Sequence, residues 1–232
     1  MESQVTVNHE QTADRFLTSV FMWMFLALTI SSVCLFLFNY VNSFMRLLFM
    51  NGNPTILAWF SIPAPIILAL IIRHGINRIS YAGLCVLFVI YSALVGTCFS
   101  FVLLDWVDSS LLGVFLVSAI IFGIMGIAGY ITKTDLSKFR SLLMMLVMGI
   151  LMATIVVFGF PGLELQFWVS CLGVAVFLGL TTFHMQDIKR QGESIDHNDP
   201  STKKMALLGG LTLYFDFVNL FVFLIKMFGT SE

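Results

Sequence analysis

"LGGLTLYFDFVNLFVFLIKMFG", residues 208–229, is long and apolar enough to cross a bilayer as one helix, yet Asp216 sits near its middle. A carboxylate at the centre of a lipid-spanning helix costs about 2.5–3.5 kcal/mol on insertion scales, so it must face protein or water instead of lipid. The stretch therefore predicts an all-α membrane protein with a polar site buried inside it.

Composition extends this reading to the whole chain. Of its 232 residues, 59% are hydrophobic and 11% are charged. A soluble domain carries about 25% charged residues, so this chain cannot cover a water-facing surface and its solvent is lipid. The expected class is a polytopic integral membrane protein with the lipid bilayer as its partner. A net charge of −1 gives no reason to expect a nucleic-acid partner. Cys34, Cys85, Cys98 and Cys171 all lie in apolar stretches, at spacings that match no zinc or redox motif. The start, "MESQVTVNHEQTADR", lacks a basic leader, and the apolar run after it is too long for a cleaved signal peptide. Residues 1–15 are expected to be a polar cytoplasmic tail, and 16–232 a single seven-helix membrane domain.

At roughly 20 apolar residues per span, seven spans can be placed. They run over Phe16–Tyr40, Pro54–Ile72, Ile79–Leu104, Leu111–Ile131, Leu142–Phe160, Gln166–Met185 and Leu208–Gly229. Pro63 and Pro65 should kink the second, and Pro161-Gly162 should turn tightly after the fifth. Asp187–Lys204 reads as the one long polar connection. Gly123, Gly126 and Gly129 lie about one turn apart on the fourth span, a stripe that lets helix backbones approach closely. With the N-terminus inside, ten of the twelve Lys and Arg fall on the cytoplasmic side, leaving Arg46 and Lys226 outside. A full crossing by the seventh segment puts the C-terminus outside, whereas a re-entrant segment returns it inside.

Few polar residues lie within the spans. Asp216 shares a helix face with Thr212 and Asn219, and that face should point into the bundle. His184, near the end of the sixth span in "TTFHMQDIKR", is the residue type whose ordinary pKa lies in the physiological range. Asp187 follows one turn later. A midplane carboxylate needs a polar partner, so the sixth and seventh helices should be neighbours, bringing His184 or Asp187 towards Asp216. Asp105 and Asp108, with Glu164, would make an acidic outer rim. No HExxH, GxSxG or P-loop occurs, and one midplane aspartate is not the pair of an intramembrane protease. An enzyme is not expected, nor is a cofactor or a firmly held metal; the candidate ion is calcium at Asp216.

The terminal "LYFDFVNLFVFLIKMFG" closely resembles the closing signature of bacterial members of the Bax inhibitor-1 family, the transmembrane Bax inhibitor motif proteins. "FLTSVFMWMFLALTISSV" resembles that family's first span, and "YITKTDLSKFRSLLMMLVMGILM" its fourth-to-fifth connection. The resemblance covers the chain from Arg15 onward. It implies a seven-helix bundle and a pH-sensitive calcium leak, with proton sensing by two aspartates, one ending the sixth helix and one in the seventh. Asp216 matches the latter. The family's sixth-helix "YDxxxIK" is here Phe183 to Lys189, with His184 in place of the aspartate. A carboxylate pair can share a proton, whereas His and Asp tend to form an ion pair. Calcium prefers oxygen ligands, so the exchange removes one from its site. The resemblance thus implies a cation leak, most readily for calcium or protons, with Asp216, His184, Asp187 and Asn219 on the ion path. The alternative is a non-conducting regulator of a membrane protease or death-related partner protein. A proton-coupled transporter is a weaker third reading.

Overall fold

The computed structural model describes residues 2–41, 46, 48–50, 53–55, 63–76, 78–102, 110–159, 165–194 and 201–228. Seven α-helices occur among them: α1 (Glu2–Tyr40), α2 (Ala64–Gly75), α3 (Tyr81–Val102), α4 (Ser110–Ile131), α5 (Arg140–Gly159), α6 (Gln166–Ser194) and α7 (Ser201–Phe228). All but α2 are long and apolar enough to cross a membrane. Helix is what lipid demands, since a segment without water must satisfy its backbone groups internally. Hydroxyl side chains follow the same rule: those of Ser92, Thr97, Ser118, Thr154, Ser170 and Thr181 each donate to the carbonyl four residues back.

Several boundaries differ from expectation. The polar start is helical, continuous with the first span from Glu2. Pro63 caps α2 and Pro65 lies in its first turn, so these prolines begin a 12-residue helix instead of kinking a longer one. Just before it, Phe49–Met50 pairs antiparallel with Asn53–Pro54, the only strands among the described residues. The helix α6 runs nine residues past its expected end at Met185, taking in half of the polar connection. Likewise α7 starts seven residues early and continues unbroken to Phe228. A re-entrant course would require the chain to reverse within that segment, and its 28 residues give about 42 Å of uninterrupted helix. Pro161-Gly162, Asp105, Asp108, Glu164 and residues 195–200 lie outside the described residues.

The chain packs as two compact units. One comprises residues 18–107 and 196–211. There the Ser31 hydroxyl on α1 donates to the Ser92 carbonyl on α3 at 2.8 Å, and Gly96 meets the Ser31 backbone so closely that no Cβ would fit. Trp23 lies edge-on to Phe88 at 5.1 Å. The Lys204 ammonium donates to the carbonyls of Ile76 (3.0 Å) and Ile79 (2.8 Å) just beyond the α2 C-terminus, where a cation is favoured.

The other unit comprises residues 1–17, 108–195 and 212–232, with α6 packed against both α4 and α5. Its outer surface is apolar: Leu112 is 67% exposed and Met145 66%, as expected of side chains solvated by lipid. Of the glycine stripe, Gly129 alone is a close-approach position, meeting the Thr182 backbone carbonyl on α6, while Gly123 and Gly126 face open space. We expect Gly129→Ala to destabilise the protein by about 1–3 kcal/mol through overpacking. Gly123→Ala should change stability by less than about 0.5 kcal/mol. Thermal unfolding in detergent checks this; equal midpoints for the two variants would reject the close packing of α4 on α6.

Candidate functional site

The site is built where α6 meets the C-terminal part of α7. Phe215 and Phe217 flank Asp216 and pack outward to other helices. Phe215 lies against Phe177 of α6, and Phe217 lies edge-on to Phe115 and Phe122 of α4 at 5.6 and 5.5 Å. With its neighbours so anchored, Asp216 turns inward between them and is fully buried. Opposite, Phe183 is buried on α6, with the His184 ring beside it at 5.3 Å.

Here His184 Nδ1 and Asp216 Oδ2 are 2.7 Å apart, with the two side chains 15% and 1% exposed. The expected approach of the sixth and seventh helices is present, by way of His184 and not Asp187. The sequence places His184 near the end of its span and Asp216 near the middle of its own, and the extension of α6 to Ser194 removes this difference in depth. His184 lies ten residues inside that end, about 15 Å of helix, instead of at the helix terminus. Asp216 Oδ1 is buried with no hydrogen-bond partner among the described residues. A buried polar atom of this kind costs roughly 1–3 kcal/mol, so the site retains unused acceptor capacity for a proton or a cation.

The other sequence candidates do not join the pair. Asp187 accepts from Gln191 Nε2 at 2.9 Å on its own helix. The Asn219 amide donates to the Phe215 carbonyl one turn back at 2.8 Å. Among the described residues, no group of three or more His, Cys, Asp or Glu could hold a metal ion. One carboxylate and one imidazole do not make the six to eight oxygen ligands that calcium takes. A resident calcium ion therefore does not fit the pair, although a passing cation could use the free oxygen.

Sequence reasoning missed a second polar cluster, on the far side of α6. Gln186 is 5% exposed and makes three bonds to the connection between α4 and α5. It accepts from the Leu136 N–H at 2.9 Å and donates to the carbonyls of Thr132 (3.3 Å) and Thr134 (2.7 Å). Lys189 donates to the Tyr130 carbonyl at 2.9 Å and lies 4.3 Å from the centre of that residue's ring. Arg190 bonds Asp135 at 2.6 Å and the Ser137 hydroxyl at 2.9 Å. The Arg190 guanidinium, together with the Ser137 backbone and side chain, lowers the exposed Asp135 carboxyl from its ordinary 3.8 to about 2. A depressed carboxylate contributes stability above its unfolded pKa and loses it as pH falls through the folded one. This contact therefore titrates between about pH 4 and 2 and is constant at neutral pH. The signal in the sequence was helical spacing: polar 186, 189 and 190 on one face, with Met185 and Ile188 buried between.

The helices, six of them long and apolar enough to cross a membrane, define a polytopic α-helical membrane protein. Comparison with known proteins then places it: the profile described as "Inhibitor of apoptosis-promoting Bax1" matches residues 13–232, and the chain belongs to the Bax inhibitor-1 family. It is 35% identical to the inner membrane protein YbhL of Escherichia coli K12 over 94% of this chain and 92% of that one. Proteins described as uncharacterized from Borreliella burgdorferi (32% identical, 93% and 92% covered) and Rickettsia prowazekii (31%, 94% and 90%) are similar over comparable lengths.

Proposed function

We propose that the protein is a pH-sensitive cation leak, for calcium or protons, in a bacterial inner membrane. The observation that carries the reading is the buried His184–Asp216 pair with one carboxylate oxygen unpartnered. Intramembrane ionisable residues are expensive and mark ion or proton pathways, and an imidazole beside a carboxylate forms a coupled pair of ionisable groups. Calcium is cargo in this reading, not a resident ligand, and no catalysis is assigned. The inner membrane is supported by similarity to YbhL, whose own name states that location.

The test is calcium flux into liposomes holding the purified protein, across a pH series. A flux that changes with pH supports the leak. No flux at any pH, with the protein folded, overturns it in favour of the non-conducting regulator, which acts only through a partner protein.

The cytoplasmic N-terminus is also proposed, from the ten-to-two basic asymmetry. It places the α4–α5 connection inside. A single cysteine at exposed Ser137, on a cysteine-free background, should resist a membrane-impermeant maleimide in intact cells. Labelling before lysis would reverse the orientation.

A further inference from the structure

Gln186 lies two residues beyond His184, about 200° round the helix, so the two side chains leave α6 from nearly opposite sides. Lys189 and Arg190 flank the Gln186 direction by about 60° and 40°, whereas Asp187 and Gln191 flank that of His184. At this level α6 is therefore gripped from two sides. One grip is the single bond to Asp216; the other is the backbone of residues 130–137. A rotation of α6 that relaxed one grip would strain the other.

We infer that Gln186 is the positioning residue of the buried pair, setting the rotation of α6 at which His184 Nδ1 meets Asp216. Of the three clamp residues it is the buried one, and its amide bonds the backbone between the end of α4 and the short helical turn at Leu136–Phe139. It accepts one N–H and donates to two carbonyls, as a neighbouring strand would. Removing the buried amide deletes three part-buried bonds at once. The Arg190–Asp135 contact is about half exposed on both partners, and such pairs contribute little. The functional meaning of the inference rests on the leak reading, but the positioning itself does not.

The experiment reads the pair directly. In protein reconstituted into nanodiscs, with His9, His74 and His197 replaced by Gln, the ¹⁵N signal of His184 Nδ1 reports its bond to Asp216. Asp216→Asn gives the signal of the altered bond. Gln186→Leu is expected to move Nδ1 by about half that displacement or more, since a supporting shell has to hold such geometry within about 0.5 Å. Gln186→Glu keeps the acceptor for Leu136 and loses both donors, so it should fall between parent and Gln186→Leu. Thr181→Val, which removes a bond internal to α6, controls for general loosening and should leave Nδ1 in place. The inference is overturned if Gln186→Leu leaves Nδ1 at the parent position, or moves it no further than Thr181→Val does. If Gln186→Leu shows no cooperative melting, Gln186→Glu decides by the same criterion. Calcium flux through the same variants in liposomes judges the leak separately: a flat response in the parent fails that reading while the Nδ1 displacement still judges Gln186.

Discussion

Purified Asp216→Asn in liposomes is expected to give a calcium flux that varies by less than about twofold from pH 5 to 8, where the parent's flux changes severalfold. The pair can hold zero, one or two protons. With one proton the bond between Nδ1 and Oδ2 persists whichever group owns it. With two, the carboxyl is neutral, the imidazolium loses its counter-charge and the contact between α6 and α7 loosens. An amide at position 216 removes one of the two titrating groups and so the coupling between them. Asp135 cannot supply the response, because it titrates down towards pH 2. His184→Asp is expected to keep a pH response and to strengthen calcium dependence, since it adds oxygen ligands at the same place. Flux in Asp216→Asn with an unaltered pH profile would make Asp216 structural.

Removal of His184 should produce the largest loss of stability. In His184→Leu the Asp216 carboxylate is left buried with neither oxygen partnered, and a broken buried pair costs about 3–5 kcal/mol. Protonation of the lone carboxyl brings the expected cost towards the lower end of that range. The double variant His184→Leu/Asp216→Leu should recover most of it, because replacing both members of a buried pair by apolar groups is often close to neutral. Thermal or denaturant unfolding of the parent, His184→Leu, Asp216→Leu and the double variant in one detergent gives the coupling. A loss in the double equal to the sum of the two single losses would show that the pair contributes no interaction energy.

The membrane core was legible in the sequence because lipid leaves few options. A run of 20 apolar residues has to be helix, and α3, α4 and α5 begin and end within two residues of their expected bounds. The meeting of His184 with Asp216 was legible for the same reason: a carboxylate at that depth requires a partner, and few polar groups are available. The polar extension of α6 was not. Hydropathy ends a span at the first cluster of charges, and Asp187, Lys189 and Arg190 supply one. Helix continues there because Lys189 and Arg190 are taken up by Tyr130 and Asp135, and Asp187 by Gln191, while Met185 and Ile188 stay buried. The short α2 was misjudged in the opposite sense, since prolines read as interior kinks proved to start the helix. Asp187, the other expected partner of Asp216, instead bonds an amide one turn along its own helix.

The packing of α6 also has a consequence for how the protein is made. A ribosome delivers α4 and α5 first, and both then wait for the helix that binds them. When α6 enters the membrane it completes the contact at Gly129 and closes the clamp around residues 130–137. His184 follows into the bundle 32 residues before Asp216 is synthesised. During that interval it faces its surroundings without a counter-charge, a state that a neutral imidazole tolerates in an apolar medium better than a carboxylate does. The histidine is on the earlier helix and the acid on the later one, so the group that is cheaper to leave unpaired in an apolar medium is made first.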